Sequence, residues 1–276
     1  MDLGVTIFAT DRTMRPDDLA VAAEERGFSS IWIPEHTHIP TSRATPNPAG
    51  EPMPDEYRRT LDPFVALSMA AARTTTIRLG TGIALPAERD PIVTAKEVAT
   101  LDHLSGGRFS FGIGFGWNIE EMADHGVGKA ERRDVTRERV LAMQALWSQE
   151  EASFDGEHVH LSPSWAWPKP AQQPWPPVLL GGAAGPIMFR HIAEYCDGWI
   201  PIGGAGLAAA LDDLRRACDD AGRDHAGLQI VPFGSLPDEG KLAHYESIGV
   251  TECVLRLPSA PADEVLPLLD DFTRFL

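Results

Sequence analysis

Cysteine is scarce in this chain: Cys196, Cys218 and Cys253 are the only three among 276 residues, and no CxxC pair occurs. So sparse and odd a set excludes a disulfide framework and a cysteine zinc site, and fits ordinary thiols in a reducing compartment. Basic residues are also short, 24 Lys and Arg against 40 Asp and Glu, for a formal charge of −16. That balance excludes the basic patches by which proteins hold nucleic acid or an anionic membrane. An anionic ligand has to be held locally, by backbone N–H groups and a few Arg or Lys. No apolar run approaches the length of a membrane span, and the opening MDLGVTIF has neither a basic n-region nor an apolar h-region. The expectation is a cytoplasmic protein.

What the chain does have is alternation. With 43% hydrophobic residues it holds enough apolar material for a sizeable core. Short β-rich runs fall at residues 3–8, 30–34, 77–83, 109–114, 177–182, 198–203, 228–234 and 252–257. Amphipathic runs lie between and after them. One starts at Pro16 and ends at Gly27, others start at Asp62-Pro63, at Asp90-Pro91 and around Glu131, and four more cover about 185–195, 206–221, 238–248 and 261–275. Eight nearly continuous apolar strands, each followed by a helix, predict an α/β fold of the closed (β/α)8 TIM-barrel type, a single domain over 1–276. Barrels of roughly 250 residues fold as one unit. A doubly wound open sheet competes, but no phosphate loop follows the first strand.

Two segments interrupt the rhythm. Residues 37–60, THIPTSRATPNPAGEPMPDEYRRT, form an extended loop after the second strand, and a connection of that length suggests a lid or substrate wall. Residues 152–177 read as a hairpin around Asp155-Gly156, then a Pro/Trp insertion before the fifth strand.

In a barrel the site is built at the C-terminal ends of the strands. After the second strand come Glu35, His36 and His38. A histidine there can act as general acid or base; the same residues could ligate a metal or merely cap the strand, and no further His/Asp/Glu cluster completes a ligand set, so no metal is assigned. The third strand ends at Thr81-Gly82-Ile83, where glycine marks a bulge or a close backbone approach. The fourth ends Gly114-Phe115-Gly116-Trp117, a side-chain-free wall suited to a planar ring but without the context of a dinucleotide fingerprint. The fifth runs through Gly181, Gly182, Ala183, Ala184 and Gly185 into a helix, the arrangement of a phosphate site. Trp165, Trp167 and Trp175 either wall an apolar pocket or pack the long insertion onto the barrel. Phe8, Arg43, Trp117 and Trp167 complete the candidates for touching substrate.

Three stretches carry a family resemblance: GFSSIWIPEHTH, the run from IRLGTGIALP to GIGFGWNIEE, and PKPAQQPWPPVLLGGAAG followed by AEYCDGWIPIG. They resemble the luciferase-like monooxygenase superfamily, and within it the deazaflavin (coenzyme F420) oxidoreductases. The resemblance implies a non-proline cis peptide at Gly82–Ile83 behind the deazaflavin ring. It implies His36 facing the reactive ring carbon, Glu35 touching the cofactor, and a phosphate turn at 181–185. Relatives that oxidise sugar phosphates carry glutamate where this chain has Trp117, which argues against glucose 6-phosphate as substrate. The implied function is F420-dependent hydride transfer to or from a small organic substrate, in a homodimer. An FMN-dependent monooxygenase of the same superfamily and a catalytically silent flavin-binding barrel are the alternatives.

Overall fold

A computed structural model describes every residue except Ala49, Glu51 and Gly203. Eight parallel segments make the wall: β1 (Asp2–Thr6), β2 (Ser30–Ile33), β3 (Arg78–Thr81), β4 (Phe109–Ile113), β7 (Val178–Gly182), β8 (Gly198–Pro201), a divided strand β9 (Gln229–Ile230) and β10 (Phe233–Ser235), and β11 (Glu252–Arg256). The helices are α1 (Pro16–Glu25), α2 (Pro63–Arg73), α3 (Pro91–Ser105), α4 (Ile119–Asp124), α5 (Arg132–Ser148), α6 (Pro186–Tyr195), α7 (Leu207–Asp220), α8 (Glu239–Ser247) and α9 (Ala262–Phe272). An antiparallel hairpin, β5 (Ala152–Asp155) and β6 (His160–Ser164), stands apart from the wall. The expected barrel is there. The run predicted over 198–203 ends at Gly203, outside the described residues.

Strand seven shows why a barrel can close over a proline. Pro232 has no N–H to give the ladder, so the run 228–234 divides around it. On one side β9 pairs with β8, and Val231 N–H continues to the Trp199 carbonyl at 2.9 Å. On the other, β10 pairs with β11, and the Pro232 carbonyl accepts from Val254 N–H at 2.9 Å. The remaining neighbours follow in order, β11-β1-β2-β3-β4-β7-β8.

Helix starts follow the sequence signals. Pro63, Pro91 and Pro186 open their helices, and the Asp62 and Asp90 side chains accept from the first free N–H groups. The wall splits the core in two. Outside it Ile31, Ile33, Leu79, Phe109 and Phe111 pack against the helices. Inside, Trp32, Leu179, Ile200, Val231 and Val254 fill the barrel, with Ile83 and Phe233 above them. Period-two alternation along β11 turns Val254 inward, so Glu252 and Arg256 take the same face at opposite ends. Glu252 plugs the N-terminal end, where its carboxylate accepts from Ser30, from Ser29 at 3.3 Å and from Arg78 at 2.7 Å.

The hairpin insertion leaves from the foot of α5 and runs back along that helix. Its turn N–H groups at Glu157, His158 and Val159 bond the Glu138 carboxylate on α5. The Pro/Trp segment continues beneath the barrel, with Lys169 Nζ on the carbonyl of Leu146 at 2.7 Å, Gln172 on Asp102 and the Phe109 carbonyl, and Trp175 Nε1 on Asp197. Trp167 is therefore far from the mouth, exposed beside Lys169 and α3, and its expected substrate contact is corrected. Among the described residues no helix is long and apolar enough to cross a membrane.

Candidate active site

The strand ends gather an aromatic group at the mouth. Phe8 after β1 packs on Tyr57 with ring centroids 4.8 Å apart, Tyr57 lies 5.4 Å from the His36 ring, and Trp117 stands edge-on to His36 at 5.8 Å. Tyr57 comes from a 3-10 turn, Asp55–Arg59, inside the loop expected to be irregular. Burial and Glu56 push the Tyr57 hydroxyl above its ordinary range, and the Arg256 guanidinium pulls against them.

His36 is held from behind. Its Nδ1 lies 2.8 Å from Glu121 Oε2, and the Glu121 side chain is wholly buried. The second oxygen of that carboxylate accepts from Thr37 N–H at 3.0 Å, and Thr60 Oγ1 donates to the His36 carbonyl at 2.9 Å. An ionised carboxylate accepts and does not donate, so Nδ1 carries the proton and Nε2 is the nitrogen left for a ligand. The two histidines part company: His38 turns to Asp124 at 2.9 Å. Among the described residues no group of three or more His, Cys, Asp or Glu could hold a metal ion.

Helix α4, absent from the sequence reading, organises this corner. Asn118 caps it, accepting from Glu121 N–H at 3.4 Å. Asn-x-x-Glu is the spacing of a capping box, and that signal could have found both the helix and Glu121. Here the Glu121 carboxylate turns to His36 instead of back to its own cap. Glu120 accepts from Thr45 N–H at 3.0 Å and from Ser42, tying down the loop that carries Arg43, itself exposed on the rim.

The glycines do other work than the sequence suggested. A Cβ at Gly114 would meet Ile83 Cδ1 at 2.0 Å, and one at Gly181 would meet Ile83 Cγ2 at 2.9 Å. The room they leave is filled by Ile83, which with Phe233 makes an apolar floor to the mouth. Gly116 adopts φ +74° in the turn to α4, a conformation that favours glycine. The Gly82–Ile83 peptide is cis. Beyond β7, Gly182, Ala183, Ala184 and Gly185 stay open or half-open ahead of α6.

Two expected cofactor contacts do not reach the mouth. The Glu35 carboxylate is buried, accepting from Arg89 Nε at 2.6 Å and from Leu85 N–H at 2.7 Å, while Arg89 also holds Asp62 and Glu97. Glu35 thus fixes the chain after β3 from behind, its own N–H on the Ile83 carbonyl at 3.2 Å. Thr81 is fully buried with its hydroxyl on the Gly112 carbonyl at 2.7 Å.

The family model for luciferase-like monooxygenases matches residues 11–236. The chain belongs to the luciferase-like monooxygenase family. Within it, an uncharacterised Mycobacterium tuberculosis protein is 47% identical over 272 residues, covering 96% of this chain and 94% of the relative. An F420-dependent glucose-6-phosphate dehydrogenase of Kineococcus radiotolerans is 32% identical over 214 residues, 75% of this chain and 58% of the relative. A solved monooxygenase of Streptomyces bottropensis superposes with a TM-score of 0.82 at 20% identity, over 100% of this chain and 98% of that one, which places this luciferase-like chain in the same barrel fold.

Proposed function

We propose that this luciferase-like barrel is a coenzyme F420-dependent oxidoreductase in which His36 moves the proton that accompanies hydride transfer. The observation that carries the proposal is the His36 ring, fixed at Nδ1 by a buried carboxylate and offering Nε2 among aromatic walls. Two features support a flat deazaflavin: Ile83 and Phe233 offer it an apolar floor, and the small-residue turn ahead of α6, whose N-cap has no side-chain bond, offers N–H groups to a phosphate. When bound, the deazaflavin supplies a two-electron hydride acceptor or donor.

The chain's own part is proton transfer and positioning. Neutral His36 accepts the hydroxyl proton of an alcohol at Nε2; in the opposite direction protonated His36 returns it to a carbonyl oxygen. Glu121 stabilises the imidazolium formed in the first case. Phe8, Tyr57 and Trp117 suit a small apolar or aromatic substrate. Trp117 in place of a carboxylate argues against glucose 6-phosphate, the substrate in the Kineococcus relative's name. The reading includes a cytoplasmic location and a homodimer. The paired state is supported by Val65, Met69 and Leu104, which lie exposed along a groove of 730 Å³ between α2 and α3.

Titration of the purified protein with oxidised F420 and with FMN tests the cofactor. Preference for F420 supports the proposal, and preference for FMN moves it to an oxygen-consuming monooxygenase. His36→Ala is expected to bind the cofactor as the wild type does and to lose turnover by about 10²–10⁴-fold. Retained turnover overturns the role of His36.

A further inference from the structure

Behind Glu121 lies a second carboxyl group that the proton-transfer reading does not use. Glu88, in the short 3-10 turn Pro86–Glu88, is buried, and neither of its oxygens has a hydrogen-bond donor among the described residues. A Cβ at Gly116 would meet both Met122 Sδ at 3.1 Å and Glu88 Oε1 at 3.5 Å, so Glu88 lies against α4 beside the wholly buried Glu121, whose charge pushes the Glu88 carboxyl up. Among the described residues the cation that acts on Glu88 is Arg89, and its pull is the smallest of the effects named on that carboxyl. Arg89, next in the chain, is committed to Glu35, Asp62 and Glu97. Arg139 of α5 spends its guanidinium on the carbonyls of Pro86 and Arg89. From α4 come Glu121 and Met122, from after β4 the backbone of Gly116, and from after β2 the Glu35 charge. Two ionised carboxylates cannot share so dry a place; one proton between them removes the repulsion and turns an orphaned acceptor into a donor.

We propose that Glu88 is a positioning residue for His36: it stays a neutral carboxylic acid and donates its O–H to the Glu121 carboxylate, which thereby keeps a single charge and a fixed orientation toward Nδ1 of His36. The inference rests on the role given to His36 above. Burial, Glu121 and Glu35 together push the Glu88 carboxyl up to about 9. The folded chain therefore holds a proton that the unfolded chain releases in the ordinary glutamate range. Stability declines as pH climbs from that range toward about 9 and levels beyond it, and Glu88→Gln abolishes that slope.

The deciding measurement is infrared difference spectroscopy of the protein without cofactor, with glutamate carbon-13 labelling to assign the bands. A protonated-carboxyl C=O stretch is expected at neutral pH, lost on titration through about 9 and absent from Glu88→Gln. Glu88→Met serves the same purpose if Glu88→Gln does not fold. No such band in the wild type, or a band that persists in the variant, overturns the proposal. Turnover supplies the link to His36. Glu88→Gln, which keeps a donor, is expected within about threefold of the wild type; Glu88→Leu is expected to lose about tenfold, the usual effect of deleting a supporting partner. Wild-type turnover in Glu88→Leu overturns the positioning role. A band that behaves as expected beside an active His36→Ala rejects the proton-transfer reading instead, so the two failures are distinguishable.

Discussion

The barrel buries carboxyl groups at both ends, and two of them, Glu252 and Glu88, are treated in opposite ways. At the closed end Glu252 is surrounded by donors, Ser29, Ser30, the Trp32 indole and Arg78. At the mouth Glu88 has none among the described residues, and Glu121 has a backbone N–H and a histidine. A buried charge met by donors on all sides holds structure together. A buried acid left without them is retained at a cost in stability, and such costs collect where chemistry is done.

The contrast can be broken by substitution. Glu252→Leu should cost the most stability, about 3 kcal/mol by urea unfolding, because it strands the buried Ser30 hydroxyl and removes the buried partner of half-buried Arg78. Its affinity for the proposed cofactor should not change; a stability loss under about 1 kcal/mol would mean that the closed end is not held as described. Glu121→Gln should do the reverse, lowering turnover about 10–100-fold while unfolding near the wild-type denaturant concentration. Should turnover survive, the Glu121–His36 bond is a packing detail. Trp167→Ala marks the small end, with stability within about 0.5 kcal/mol and kcat/KM unchanged; a fall in kcat/KM would bring the Pro/Trp segment back toward the site.

That last residue shows where the sequence misleads. Both long insertions are rich in proline, and both drew attention as possible site walls, yet only residues 37–60 stand at the mouth. Strand polarity settles which end a connection occupies when it follows a strand directly. It says nothing for a hairpin that returns from the foot of α5. The barrel itself was legible, because eight buried strands and proline-opened helices are local signals. Glu35 was misplaced, since its neighbour His36 faces the mouth while the Glu35 side chain turns to Arg89, 54 residues away. Glu88 and Tyr57 were illegible for the same reason: contacts that arise only on folding leave no spacing to read.

Helix α4 ties two things with one residue. The two oxygens of Glu121 hold the His36 ring and the Thr37 backbone, and the long loop begins at Thr37. On the proton-transfer reading of His36, one carboxylate therefore supports both the proton carrier and the root of the segment that shields it from water.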